Sequence, residues 1–137
     1  MKKILLLLVM MLLPMVASAV DVYIDGIYYR LSNKTAEVRP NSAHFYSGDI
    51  VIPSEITWNA NNKYGGTYSV TSIANNAFEY CTNLTSVVLP NSITSIGYSA
   101  FRNCSNLTSI TIPDSVTAIK HSTFEGCSSL IYYSSFI

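Results

Sequence analysis

The apolar positions of this chain recur at a fixed long interval, not at the short period of an extended helix or a long strand. Shifted by 23 residues, Val70–Ser92 falls on Ile93–Ser115 with 12 identities in 23 positions. A third copy begins at Val116 and matches the second at 7 of its first 15 positions, whereas the seven residues after Leu130 match none. Upstream, Ile50-Val51-Ile52-Pro53 anticipates Val87–Pro90 by 37 residues, one period plus a 14-residue insertion. The insertion falls in the Asn- and Gly-rich stretch from Thr57 to Tyr68, which predicts a protruding turn or hairpin. A repeat of this length is one structural unit that cannot bury its apolar face alone, so the copies must stack.

Within a unit, Val87 and Leu89 alternate with Val88, which predicts a short strand with two side chains inward. Pro90 and Pro113 end such strands, because proline donates no ladder hydrogen bond. Thr94–Ile96 predicts a second short extended piece, and the Ala-Phe-x-x-Cys segment after it a single helical turn. Stacking coils about 4.8 Å apart then lines up equivalent residues. Phe78, Phe101 and Phe124 form an aromatic column and Cys81, Cys104 and Cys127 a thiol column. Asn83 and Asn106, followed by Ser129, are expected as an inward polar column that satisfies turn backbone groups. The fold class expected is a mostly β repeat solenoid of short strands and one-turn helical segments, preceded by an N-terminal β-hairpin cap.

The flanks divide the rest. Residues 1–19 combine Lys2 and Lys3, an apolar run from Ile4 to Leu13, Pro14, and Ala17-Ser18-Ala19, the pattern of a signal peptide cleaved after Ala19. A ten-residue run covers roughly half of a bilayer core, so it does not read as a membrane anchor. Residues 20–49 alternate around Asp25-Gly26 and again before Ala36, which predicts paired strands capping the first coil. The solenoid is assigned to 50–137: a degenerate repeat at 50–69 carrying the insertion, then 70–92, 93–115 and an incomplete 116–137. Tyr133 and Ser135 stand where Ile110 and Ile112 stood, so fraying is expected from about Leu130 onward, and the uncapped last coil offers an edge for self-association.

Charge and chemistry narrow the function. Beyond residue 19 six Lys and Arg face eight Asp and Glu, a balance that signals neither nucleic acid nor a membrane surface as partner. The three cysteines lie one per coil, not two to four residues apart as zinc ligands do, and are expected as buried free thiols, with one disulfide as the alternative. His121 falls in a variable turn column with Asn75 and Tyr98, and the repeat places no carboxylate beside His44. Glu79 and Glu125 are separated in their column by Arg102, which predicts a solvated ion-pair row and no paired acids for glycoside hydrolysis. No cofactor, metal or catalytic residue is expected. Asn83, Asn103 and Asn106 each open an N-x-Ser/Thr triplet, attributed to the repeat itself.

The surface left to function is the outward side of the strand row: Ser86 and Val88, Ser109 and Thr111, Tyr132 and Ser134, with Tyr64 or Tyr68 of the insertion as aromatic anchors. The run L-x-x-[IV]-x-[IL]-P-x-x-[VI]-x-x-I-x-x-x-[AT]-F-x-x-C, met in full from Leu84 to Cys104, resembles the BspA-like leucine-rich repeat. The likeness spans Ile50 to about Leu130, and the preceding Tyr23–Val38 segment is similar to the hairpin found before such repeats. The resemblance implies a leucine-rich-repeat solenoid at a bacterial or protist surface that adheres to host proteins or other microbes. The reading favoured is an exported protein-binding or adhesion module; the alternative is a truncated piece of a longer surface repeat protein without independent activity.

Overall fold

The computed structural model describes residues 18–43 and 45–135, with side chains to residue 131. Ten strands follow in order: β1 Val20–Ile24, β2 Ile27–Ser32, β3 Thr35–Val38, β4 Gly48–Val51, β5 Glu55–Trp58, β6 Gly66–Ile73, β7 Leu84–Val88, β8 Ser95–Ile96, β9 Ser109–Ile112 and β10 Tyr132–Ser135.

β1, β2 and β3 form an antiparallel meander. Its two connections, Asp25-Gly26 and Asn33-Lys34, have positive φ at both central residues, the conformation that a two-residue hairpin loop needs to match strand twist. Val22, Ile27, Tyr29, Leu31, Ala36 and Val38 alternate into the core. The meander is more than a lid: β3 pairs in parallel with β6, which pairs in parallel with β8. It therefore supplies the first strand of one side of the stack. The insertion is the hairpin of β5 and β6, Glu55 opposite Ser69 and Trp58 opposite Gly66.

The other side is an all-parallel sheet in the order β10, β9, β7, β4. Ser86 pairs with Ser109 and Ser109 with Tyr132, each 23 residues apart, while Asp49 pairs with Ser86 across the insertion. The backbone thus holds its register past Leu130, where the residue pattern lapses. Main-chain pairing needs no particular side chain, so β10 can follow β9 without inward isoleucines.

The third side consists of turns, and here the expected helical segments do not form; no described residue is helical. Ala77, Glu79 and Cys81 donate to carbonyls three residues back, at 3.3, 3.2 and 3.1 Å. The intervening Asn76, Phe78 and Tyr80 turn their N–H groups to the next coil, onto Tyr98, Ala100 and Arg102 at 3.0, 2.7 and 2.9 Å. The second coil repeats this from Ser99, Phe101 and Asn103 onto His121, Thr123 and Glu125. Left-handed backbone at Asn76 and Tyr80, Ser99 and Asn103, Ser122 and Gly126 makes that possible and forbids a continuous helix.

Side-chain columns fill the interior. Phe78 and Phe101 are wholly buried and stack at 5.0 Å between ring centroids, and Phe124 follows at 5.5 Å. Tyr46 heads the column, 4.8 Å from Phe78, and its hydroxyl accepts from the Tyr28 N–H and donates to the Arg39 carbonyl. Cys104 Sγ donates to the Phe78 carbonyl at 3.0 Å and Cys127 Sγ to that of Phe101 at 2.9 Å.

The inward asparagine column is not observed: Asn83 and Asn106 are both exposed. The Leu84 N–H closes a tight turn on the Cys81 carbonyl, and Leu107 on that of Cys104, which leaves the asparagine before each leucine at the outside of the turn. The Asn83 carbonyl, not its amide side chain, makes the inter-strand contact, accepting from the Gly48 N–H at 2.9 Å. The asparagine triplets at 83 and 106 are therefore accessible.

Candidate binding surface

The outward face of the parallel sheet carries two ladders. Asp49, Ser86, Ser109 and Tyr132 occupy one register; Val51, Val88, Thr111 and Ser134 the other. Val88, Ser109 and Thr111 are exposed and Ser86 partly so; the backbones of Tyr132 and Ser134 continue the rows, their side chains lying outside the description. The inward partners Val87, Ile110, Leu89 and Ile112 are buried, so the strands are amphipathic as the alternation requires.

Two members of this surface escaped the sequence reading. Asp49 accepts from the hydroxyls of both Thr85 and Ser86 at 2.7 Å, and these bonds hold its carboxyl below the usual carboxylate range. Val51 is 68% exposed and Val88 42%, which makes an apolar step beside the hydroxyl row. The signal for both was the Ile50–Pro53 match, which placed Asp49 and Val51 in line with Ser86 and Val88.

The insertion contributes less than expected. Tyr68 is buried, its hydroxyl donates to the Tyr64 carbonyl at 2.6 Å, and Lys34 Nζ lies over its ring at 5.6 Å. It is a core residue and not an anchor. Tyr64 is partly exposed, with Lys63 Nζ 4.9 Å from its ring centre and a hydroxyl contact to Ser18.

The remaining polar clusters are structural. Arg102 lies 3.5 Å from Glu79 and 3.3 Å from Glu125, a row across three coils. His121 is exposed and its Nδ1 is 2.6 Å from Ser122 Oγ; His44 lies outside the described residues. All three cysteines are free. Burial pushes the Cys81 thiol up to about 11, and hydrogen bonding to Cys127 together with burial raises Cys104 from its ordinary value. Such thiols stay protonated near neutrality and are poor nucleophiles. Among the described residues no three His, Cys, Asp or Glu side chains gather as a metal site would need, and no helix is long and apolar enough to cross a membrane.

Residues 59–135 match the family described as BspA type leucine rich repeat region (6 copies). No curated protein matches the chain in sequence. Among solved structures, a leucine-rich repeat protein from Bacteroides ovatus is 33% identical with a TM-score of 0.70, over 83% of this chain and 29% of that one. A leucine-rich cell surface protein from Faecalibacterium prausnitzii is 27% identical with a TM-score of 0.61, over 82% and 30%. A leucine-rich repeat protein from Bacteroides capillosus is 27% identical with a TM-score of 0.58, over 82% and 96%. The chain thus spans less than a third of the first two proteins and nearly all of the third.

Proposed function

Because the chain belongs to the BspA-type leucine-rich repeat family, we propose that it is an exported, surface-type protein that binds other proteins through the outward strand row and performs no catalysis. The observation that carries this reading is the pair of outward ladders on a parallel sheet, with Asp49 and the hydroxyls of Ser86 and Ser109 beside Val51, Val88 and Thr111. Side chains repeated at strand spacing give a broad surface with little entropy to lose on contact, and an apolar step next to polar hydroxyls is the composition that protein interfaces favour. Extracellular host proteins or the surfaces of other microbes are the partners we propose, as the family resemblance of the repeat implies.

Export rests on the Lys2-Lys3, apolar and Ala17-Ser18-Ala19 pattern of the leader, of which residues 1–17 lie outside the described residues. Ser18 and Ala19 are exposed and precede β1, so cleavage there leaves every strand intact. N-terminal sequencing of the exported protein is expected to begin at Val20.

The binding test is surface titration against purified extracellular-matrix proteins and a bacterial surface extract. Saturable binding is expected, weakened about tenfold or more by Val88→Asp, since a charge in an apolar contact costs more than 1.4 kcal/mol. Absence of saturable binding to any of them, or binding indifferent to Val88→Asp and Val51→Asp, would count against the strand row.

A further inference from the structure

The parallel sheet of the strand row runs β10, β9, β7, β4, so β4 has a strand on one side and, among the described residues, none on the other. Gly48 and Ile52 donate their N–H groups to the Asn83 and Val88 carbonyls at 2.9 and 3.0 Å, toward β7. Main-chain groups alternate in direction along a strand, so those of Asp49 and Val51 point the other way. They find no partner among the described residues. The register shift of β4 lies between Gly48 and Asp49, which leaves Asp49–Val51 in regular pairing with β7. An open edge is commonly blunted by a lysine or a proline; between Gly48 and Ile52 there is neither.

The side chains of Asp49 and Val51 stand on the outward face, both exposed. Thr85 and Ser86 donate to the same carboxylate oxygen, Oδ1, and Oδ2 accepts nothing from the described residues. Hydroxyl donors orient a carboxylate without cancelling its charge, and none of the ion pairs among the described residues includes Asp49. Nor does a Lys or Arg occur in residues 48–55, 84–92 or 107–115, three strands with the turns that leave them, whereas Asp49, Glu55 and Asp114 do. The edge therefore repels an acidic strand and favours a cation at one position, with an apolar side chain two residues away against Val51.

We propose that β4 receives an added strand from a partner protein, an extended segment with a Lys or Arg beside Asp49 and a β-branched apolar residue beside Val51. This rests on the reading that the strand row binds proteins and states how one is held. Main-chain bonds to Asp49 and Val51 give the segment its hold, and the two side chains select it. Because Asp49 and Val51 are two apart on one face, the cation and the apolar residue must be two apart as well, in an order set by whether the segment runs parallel or antiparallel.

The test uses the isotope-labelled chain and the peptide acetyl-Thr-Val-Thr-Lys-Thr-Val-Thr-amide, which offers valine two residues from lysine in both directions. Saturable amide shifts centred on β4 are expected, with a dissociation constant of about 0.1–10 mM. Near saturation, hydrogen exchange should slow at least about threefold at Asp49 and Val51 but not at Ile50, whose N–H already faces β7. The same peptide with glutamate for lysine should bind at least about fivefold more weakly. Val51→Pro removes an N–H that donates to no described residue, so it should leave the fold intact and weaken binding about tenfold or more. Equal affinity for the glutamate peptide, or shifts without slowed exchange at Asp49 and Val51, would overturn the proposal; both comparisons use the unaltered chain. Exchange at these two amides that slows with the concentration of the chain alone would assign the edge to a second copy and overturn it too. Matrix-protein binding that Val88→Asp abolishes, while the peptide leaves Asp49 and Val51 unprotected, would sink the added strand and spare the strand row.

Discussion

Single residues in this chain take their chemistry from their place in a column. Cys81 and Cys104 are buried, and Cys127 is only partly covered. A thiol reagent at neutral pH should therefore label Cys127 first and reach the other two only on unfolding; mass spectrometry of peptides after timed alkylation reads this directly. Burial also ties stability to alkaline pH. With Cys81 at about 11 in the folded chain against 9.0 for a free thiol, the folded state holds that proton more tightly. The resulting stability is fully present below pH 9 and is lost as pH rises through 11, an effect of about 2 to 3 kcal/mol. Denaturant midpoints measured from pH 8 to 11 should fall, and fall less steeply for Cys81→Ala.

At the scale of elements, the turn stack decides what can be varied. Tyr80, Asn103 and Gly126 occupy one left-handed column, and side-chain size shrinks along it. A Cβ on Gly126 would lie 2.1 Å from Asn103 Oδ1 and 3.3 Å from its Cα, on a backbone at φ +74°. Gly126→Ala should cost about 1–2 kcal/mol, lowering the thermal midpoint by about 4–8 °C. Phe101→Ala, which leaves a hole between two stacked rings, should cost about 3–5 kcal/mol, and Phe124→Ala clearly less because its ring is only partly buried. These elements also mark how far the sequence could be read. The 23-residue spacing reveals the strand row, the aromatic and thiol columns and the Glu79–Arg102–Glu125 row, because equivalent side chains must stack. It misses whatever backbone alone decides: the alternating N–H directions that replace a helical turn, and the outward swing of Asn83 and Asn106. It misses Tyr46 as head of the column and β3 as first strand of the second side because neither lies within a copy. Tyr68 looked free only because period and composition cannot tell a hairpin's inner face from its outer one.

The whole molecule is a stack whose two ends differ. Tyr46 and the meander cover the first coil, while the last coil leaves Ile119 49% and Ile131 76% exposed, although Ile96, one period before Ile119, is wholly buried. Thr94 and Gly97 donate to Thr71 and Ile73 of the coil before, at 2.9 Å each, but Thr117 and Lys120 make no equivalent backbone bond among the described residues. β10, by contrast, keeps four residues in register with β9, and Ile131 donates to the Thr108 carbonyl at 3.3 Å. The weakest part of the last coil is therefore 117–120, ahead of the stretch after Leu130 where the residue pattern lapses. Amide hydrogen exchange should be fast at 117–120, slower at 131–135 and slowest at Thr94 and Gly97; equal protection at 97 and 120 would contradict this. The same end bears on self-association. Ser122, Phe124 and Gly126 present three N–H groups that find no acceptor among the described residues, and a two-fold contact would set donors against donors. Any pairing of two copies at this end is then expected along β10, which has no second strand partner among the described residues, and the apolar side chains near it. Sedimentation velocity should show a concentration-dependent dimer that Ile131→Lys suppresses, while Phe45→Ala at the covered end leaves it unchanged.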